Sequence, residues 1–196
     1  MSLRPVSLTG TSVRLEPLTI DHVPALARVG LDAELWRWQP KALCTADHMH
    51  EYVQAALDQQ RAGDGLPFVI IDPASGQVVG STRYFDIALQ HRRLEIGATW
   101  IARSHQRTAL NTEAKLLLLT HAFETLGIGK VVLKTETLNE QSRCAILRLG
   151  AIEEGTFRRH FIAESGRLRD MVYFSILDTE WPRVKARLVA KLDSRR

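Results

Sequence analysis

Between Leu94 and Lys115 the residue types follow an order that could bind an anion. Leu94-Glu95-Ile96-Gly97-Ala98-Thr99-Trp100-Ile101 has the composition of a strand, and Gly97 within it suggests a bulge or a close backbone approach. A polar, basic stretch from Ala102 to Ala109 leads into Leu110-Asn111-Thr112-Glu113-Ala114-Lys115, the start of a helix that is apolar around most of its circumference. The opening N–H groups of a helix have no acceptor within it, and the helix dipole is positive at that end, so such a junction favours a phosphate. The alternative is an ordinary strand-to-helix connection, since the glycines that let a backbone cradle a phosphate are missing.

Metal and disulfide chemistry have weaker claims. His48 and His50 form a lone His-x-His that points its rings to different faces of a helix and lacks a third ligand, so no metal is expected. Cys44 and Cys144 stand far apart without a CxxC or CxxH, which encodes neither a disulfide framework nor a zinc module. Both are read as buried thiols.

The chain that must position these residues has 196 of them, 45% hydrophobic and 24% charged, a balance that excludes disorder and collagen. A chain of this size buries about 70% of its extended surface, which suits one sizeable core and a single domain over 1–196. No run reaches the roughly 18 apolar residues of a membrane span, and Met1-Ser2-Leu3-Arg4-Pro5 is not followed by an apolar signal core. A cytoplasmic location and no membrane partner are expected. Charge is uneven: residues 1–98 carry 9 Lys+Arg and 11 Asp+Glu, or −2, and residues 99–196 carry 17 and 11, or +6.

Hydrophobic periodicity gives the remaining elements. A strand ends at Pro17-Leu18, a helix capped by Asp21 follows, and Thr45 opens a second amphipathic helix that Gly63-Asp64-Gly65 stops. Phe68 to Ile71 and Gln77 to Phe85 flank the turn Asp72-Pro73-Ala74-Ser75-Gly76 as a hairpin. After the strand Leu94 to Ile101, a helix spans 112–126 with Asn111 or Thr112 as its cap. A strand from Lys130 to Thr137 and a helix from Asn139 to Leu149 closed by Gly150 come next. A long hairpin from 151 to 177 and a tail helix capped by Asp178 or Thr179 complete the chain. The order β α α β β β α β α β β α describes an α/β fold with a single mixed, mostly antiparallel central sheet flanked by helices.

The segment 94–115 resembles the GNAT N-acetyltransferases, and more closely their RimJ/RimL-like branch, which acetylates protein N-termini and other amines. The resemblance runs nearly the whole length. The family's Q/R-x-x-G-x-G/A loop is matched by Gln106-Arg107-Thr108-Ala109-Leu110-Asn111, with Arg107 and Ala109 where many relatives have glycine. Its second motif is matched by Asn139-Glu140-Gln141-Ser142, Arg143 and the closing Leu149-Gly150-Ala151. Glu154-Gly155-Thr156-Phe157-Arg158 and Trp181-Pro182 are further similarities.

The resemblance implies a GNAT fold and acetyl-CoA as co-substrate, with no metal. Pantetheine would lie along Ala98, Thr99, Trp100 and Ile101; the pyrophosphate would be wrapped by Gln106, Arg107, Thr108, Ala109, Leu110, Asn111 and Thr112; Asn139, Ser142 and Arg143 would contact the cofactor from the second motif. Arg107 itself could pair with a phosphate. Ser142 is the implied acid for the departing thiolate, and its alternative is a helix-capping hydroxyl. Glu95 is the implied base, acting through a water, and its alternative is a salt-bridged strand carboxylate; Glu136 is the second candidate. Trp36 and Trp38 fall where the family binds its acceptor, or they close the core beneath the helices.

The acceptor implied is a protein N-terminal α-amine or a small amine, and the chain a monomer or homodimer. A catalytically weak acyl-CoA-binding sensor is the alternative, motivated by the glycine-poor loop. Direct nucleic-acid binding is the least favoured, resting on the +6 half with Arg158-Arg159-His160, Arg167 and Arg169.

Overall fold

The computed structural model describes residues 3–194; Met1, Ser2, Arg195 and Arg196, at the two ends of the expected 1–196 domain and including the start read for a signal, lie outside them. The strands are β1 (Leu8–Thr9), β2 (Arg14–Pro17), β3 (Gly65–Asp72), β4 (Gln77–Ala88), β5 (Arg93–Ile101), β6 (Lys130–Glu136), β7 (Ile152–Ile162) and β8 (Leu168–Leu177). The helices are α1 (Val23–Gly30), α2 (Ala46–Ala62), α3 (Leu110–Thr120), α4 (Glu140–Leu149) and α5 (Trp181–Asp193). This is the expected element order with one short added strand, β1.

The strands form one eight-stranded sheet in the order β1-β2-β3-β4-β5-β6-β8-β7. Every neighbouring pair is antiparallel except β5 and β6, which run parallel. A parallel pair needs a crossover, and α3 supplies it.

Strand alternation distributes the core over both faces. Phe68, Ile70, Leu94, Ile96, Val131, Leu133, Val172 and Phe174 join the larger apolar cluster with α3 and α5, while Val69, Ile71 and Trp100 face a smaller one with α1 and α2. Residues of opposite parity in the β5–β6–β8 half, Glu95, Lys134, Glu136 and Tyr173, therefore share the second face. Tyr84 fastens the crossover, its hydroxyl donating to the Leu118 carbonyl at 2.5 Å just before α3 loosens into a π-helical turn at His121–Thr125.

The sheet opens at its centre. The β5–β6 pairing covers only Arg93–Glu95 with Lys130–Val132. Beyond it β5 stays with β4 as far as Ile101, and β6 stays with β8 as far as Glu136. Between Ser81↔Trp100 and Arg83↔Gly97 strand β5 spends one residue more than β4, which is a bulge. The left-handed residue there is Ala98, at φ 46°, and not Gly97. Gly97 is small for another reason: a Cβ would stand 2.7 Å from the Phe85 ring and 3.2 Å from Glu95 Oε1.

Several helix starts differ from expectation. Thr19, not Asp21, begins a short 3-10 turn (Ile20–His22) ahead of α1. Helix α3 starts at Leu110 behind Ala109, and α5 starts at Trp181 behind Glu180, neither with a side-chain cap. Thr45 does cap α2, accepting from the His48 N–H, and Gly63 ends it at φ 79°. Cys44 and Cys144 are exposed and free, not buried, because each lies on the outer side of its helix or loop.

Close approach at the bulge rests on Gly80, where a Cβ would lie 2.2 Å from the Trp100 carbonyl oxygen. That oxygen belongs to the backbone and cannot rotate away. Gly80→Ala is expected to destabilise the fold by about 2 kcal/mol or more in chemical denaturation, within the upper range for overpacking; an unchanged midpoint would show that the strands can separate there without cost.

Candidate active site

The connection from β5 to α3 adopts the shape that glycine ordinarily supplies. A 3-10 turn at Arg103–His105 precedes Gln106, whose amide Nε2 donates to the Ile101 carbonyl at 2.9 Å. Arg107 then takes φ 63°, a left-handed conformation uncommon outside glycine. Thr108 Oγ1 donates to the His105 carbonyl at 2.8 Å and accepts from the Leu110 N–H at 3.3 Å. Ala109 offers no capping oxygen, and Thr108 Oγ1 takes only the Leu110 N–H, so among the described residues the N–H groups of Asn111 and Thr112 at the start of α3 have neither a helical nor a side-chain acceptor. Asn111, expected as a cap, is instead in the first turn with its Oδ1 buried and without a partner. The combination of exposed Arg107 with the open N–H groups at the start of α3 fits an anionic ligand such as a pyrophosphate, to which the orphaned Asn111 Oδ1, an acceptor, adds nothing.

At the vertex of the opened sheet lies Glu95, 1% exposed. Lys134 Nζ approaches its Oε2 to 2.8 Å, but as an ionic contact rather than an aligned hydrogen bond, so Oε2 has no hydrogen-bond partner. Burial pushes the Glu95 carboxyl up to about 7, against the opposing charge of Lys134. A carboxylate of that kind can exchange a proton near neutrality. On the same bulge, Lys115 Nζ donates to Thr99 Oγ1 at 2.6 Å, and Thr99 Oγ1 lies 2.8 Å from Thr82 Oγ1. No carboxylate pairs with Lys115 among the described residues, and burial brings its ammonium down to about 7.

The other candidates occupy distinct environments. Asn139 Oδ1 accepts from the Ser142 N–H at 3.1 Å, so asparagine is the cap of α4 and the Ser142 hydroxyl is not used in capping. Arg143 leans back on the Thr137 carbonyl at 3.4 Å and on Glu153 at 3.7 Å. Glu136 is occupied: burial alone would raise its pKa, but hydrogen bonds from Arg167 and Arg169 hold it below the usual carboxylate range. It clamps the β7–β8 hairpin to β6 and makes a poor base. The same pairing consumes Arg167 and Arg169, which a nucleic-acid face would have needed free.

The tryptophans separate. Trp36 is 4% exposed, donates its indole N–H to the Gly30 carbonyl at 2.6 Å and packs on Trp100 and Tyr52 in the smaller cluster. Trp38 is half-buried beside the β7–β8 hairpin, with Arg167 against its ring at 5.8 Å and Arg169 bonded to its carbonyl at 2.6 Å. Of the two, Trp38 is the partly exposed one, and Arg37 also lies over its ring at 5.1 Å. Among the described residues no cluster of His, Cys, Asp or Glu could hold a metal ion, and no helix is long and apolar enough to cross a membrane.

Lys134 and Lys115 escape a reading by motif. Lys115 could have been noticed by spacing, since with Leu118, Leu119 and Ala122 it completes a buried stripe at i, i+3, i+4 and i+7. Lys134 has no local signal, because its meeting with Glu95 depends on the β5–β6 register.

Residues 12–152 match the family described as the acetyltransferase (GNAT) domain. A GCN5-related N-acetyltransferase from Brucella melitensis superposes with a TM-score of 0.91 at 30% identity, covering 98% of this chain and 87% of that one. A Bacillus subtilis protein provisionally named ribosomal N-acetyltransferase YdaF is 34% identical over 106 residues, 54% of this chain and 57% of that protein, so the match spans little more than half its length. RimJ of Mycobacterium smegmatis, solved with CoA-disulfide, has the same fold, with a TM-score of 0.81 at 24% identity over 100% of this chain and 95% of that one.

The buried amine of Lys115 gives a pH-dependent stability. Between pH 7 and 10.5 the folded chain holds less proton on this group than the unfolded chain does, so stability rises with pH across that window. Lys115→Met removes the effect. It is expected to stabilise the protein on the order of 1–3 kcal/mol at pH 7, with the gain shrinking towards pH 10 in urea denaturation; an equal gain at both values would place the lysine's cost elsewhere.

Proposed function

The chain belongs to the GNAT acetyltransferase domain family, and on that premise we propose that it is an N-acetyltransferase of the RimJ/RimL-like branch. It moves the acetyl group of acetyl-CoA to a primary amine by direct attack on the thioester. A protein N-terminal α-amine, of the ribosomal-protein type, is the acceptor this reading favours, followed by a small amine. The observation that carries it is the cleft between β5 and β6, with a buried carboxylate of near-neutral pKa at its vertex.

Acetyl-CoA brings a thioester-activated acetyl group, and the protein must do the rest. Arg107 and the open N–H groups of α3, with Gln106, Thr108, Ala109, Leu110, Asn111 and Thr112 shaping the loop, hold the pyrophosphate. The bulged backbone of Ala98, Thr99, Trp100 and Ile101 directs the pantetheine into the cleft, and N–H groups freed by the bulge polarise the carbonyl as it gains negative charge. Glu95 takes a proton from the amine through a water. Ser142, with an uncommitted hydroxyl at the start of α4, delivers one to the departing sulfur, and Asn139 and Arg143 hold that end of the site. Trp38 flanks the acceptor. An α-amine, with a pKa of about 7.7–8.0 against about 10.4 for lysine, asks less of the base. Free exposed thiols at Cys44 and Cys144 are compatible with work in the cytoplasm.

Calorimetric titration with acetyl-CoA tests the cofactor half. Micromolar binding is expected, weakened about tenfold by Arg107→Ala, the size of one charge-assisted hydrogen bond, and lost in an analogue without the pyrophosphate; no binding at millimolar acetyl-CoA overturns the reading. For the chemistry, kcat on N-terminal peptides should rise with pH through about 7 as the Glu95 carboxyl ionises. Glu95→Gln should lower kcat by about 10²-fold or more with little change in acetyl-CoA affinity. Binding without turnover on any amine would favour the acyl-CoA sensor instead.

A further inference from the structure

Lys134 is arranged as an acceptor would be. Pairing between β5 and β6 stops at Glu95↔Val132, so Lys134 carries the next β6 side chain on the Glu95 face beyond the vertex. Its ammonium lies 2.8 Å from Glu95 Oε2. The rings of Phe85, Phe161 and Tyr173 stand 5.1, 5.4 and 5.6 Å from the same nitrogen, a partial aromatic cage from three different strands or turns. Rings around a cation stabilise it through their quadrupoles and are a recurrent way of recognising an ammonium group. With its side chain 18% exposed, Lys134 is shielded from most of the bulk water yet not sealed off.

The other lysines with a described partner lack this setting. Lys41, Lys130 and Lys185 pair at the surface with Glu51, Glu154 and Glu124, and Lys115 rises from α3 to Thr99. Among these lysines, Lys134 is the one with its amine against the Glu95 carboxylate.

We propose that Lys134 is a self-acetylation site, its side-chain amine taking the acetyl group of acetyl-CoA held in the β5–β6 cleft. The inference rests on the acetyltransferase reading above. Glu95 accepts one proton from the Lys134 ammonium, and the freed nitrogen lone pair forms a bond to the acetyl carbonyl carbon. The carbon–sulfur bond breaks, its electron pair leaves with sulfur, and the second nitrogen proton goes to that thiolate. The products are Nε-acetyl-Lys134, CoA thiol and one proton, which Glu95 returns to water. Acetylation removes the positive charge that faces Glu95 and the cation that the three rings surround, so the modified chain has an altered acceptor pocket.

The test incubates the full chain with acetyl-CoA and no other amine, followed by intact mass and peptide mapping. One acetyl group per chain is expected, on Lys134 and ahead of every other lysine. Lys134→Arg should remove it, and Glu95→Gln should slow it by about 10²-fold, as loss of a proton acceptor does. Acetyl phosphate, a purely chemical donor, should label by exposure, with Lys41 and Lys185 ahead of Lys134. A readout without turnover is labelling by acetic anhydride, from which CoA should shield Lys134 but not Lys41. Acetylation at Lys134 that is absent, no faster than at exposed lysines or indifferent to Glu95→Gln overturns the proposal, as does labelling that CoA does not reduce. If acetyl-CoA binds and peptide N-termini are acetylated while Lys134 stays unmodified, this inference alone fails; if acetyl-CoA does not bind, the acetyltransferase reading fails with it.

Discussion

The short parallel pairing of β5 with β6 is the constraint on which the candidate site depends. If the two strands stayed paired along their full lengths, the cleft would close and Glu95 would lie inside a continuous sheet. The bulge prevents this by spending an extra residue at Ala98, and a bulged strand bends and twists more strongly than a regular one. A left-handed alanine costs roughly 1–2 kcal/mol against the right-handed form. That cost is offset where the strand is anchored on both sides, by Leu94 and Ile96 in the larger cluster and Trp100 in the smaller. Arg107 carries a second such cost in the loop that follows. Both strained residues lie within the segment that would hold an anionic cofactor, the pattern expected where backbone shape serves binding.

Three buried charged groups around this opening have been compensated to different degrees. Glu136 has two guanidinium partners and is a structural clamp. Glu95 has one lysine in imperfect alignment, and Lys115 has only a hydroxyl. A charge in a poorly polarisable interior that is fully paired stays ionised; one that is under-paired moves its pKa towards neutrality. Under-paired groups are thus those able to exchange protons under working conditions, and both lie beside the bulge. The basic half of the chain takes a different meaning in this light, since Arg167 and the buried Arg169 both pair with Glu136.

Much of this was legible in the sequence. The strand from Leu94 to Ile101, the helix opened by Thr45, the Gly63 stop and the hairpin within 151–177 all follow from local rules, because side-chain periodicity and cap chemistry act over a few residues, whereas Asn139, expected as the first helical residue, is the cap of α4. The family resemblance, carried by two motifs in order, matched the fold across the described residues. Less legible were helix starts with no capping side chain. At Leu110 no capping side chain marks the first turn, whereas at Trp181 the start is marked by Pro182 in the first turn and not by the expected Asp178 or Thr179 cap.

What the sequence alone determined, then, is the order of elements, the sheet's mixed character and the strand-to-helix stretch matched to the family's first motif, since each is written in residues close along the chain. Tertiary structure alone decided that Glu136 is clamped and Glu95 is not, that Trp36 is core while Trp38 borders the hairpin, and that Lys134 meets Glu95. These depend on the register between strands, and a shift of one residue would turn each side chain to the opposite face. Register is fixed by the whole core packing against both sides of the sheet, which no local stretch of sequence contains.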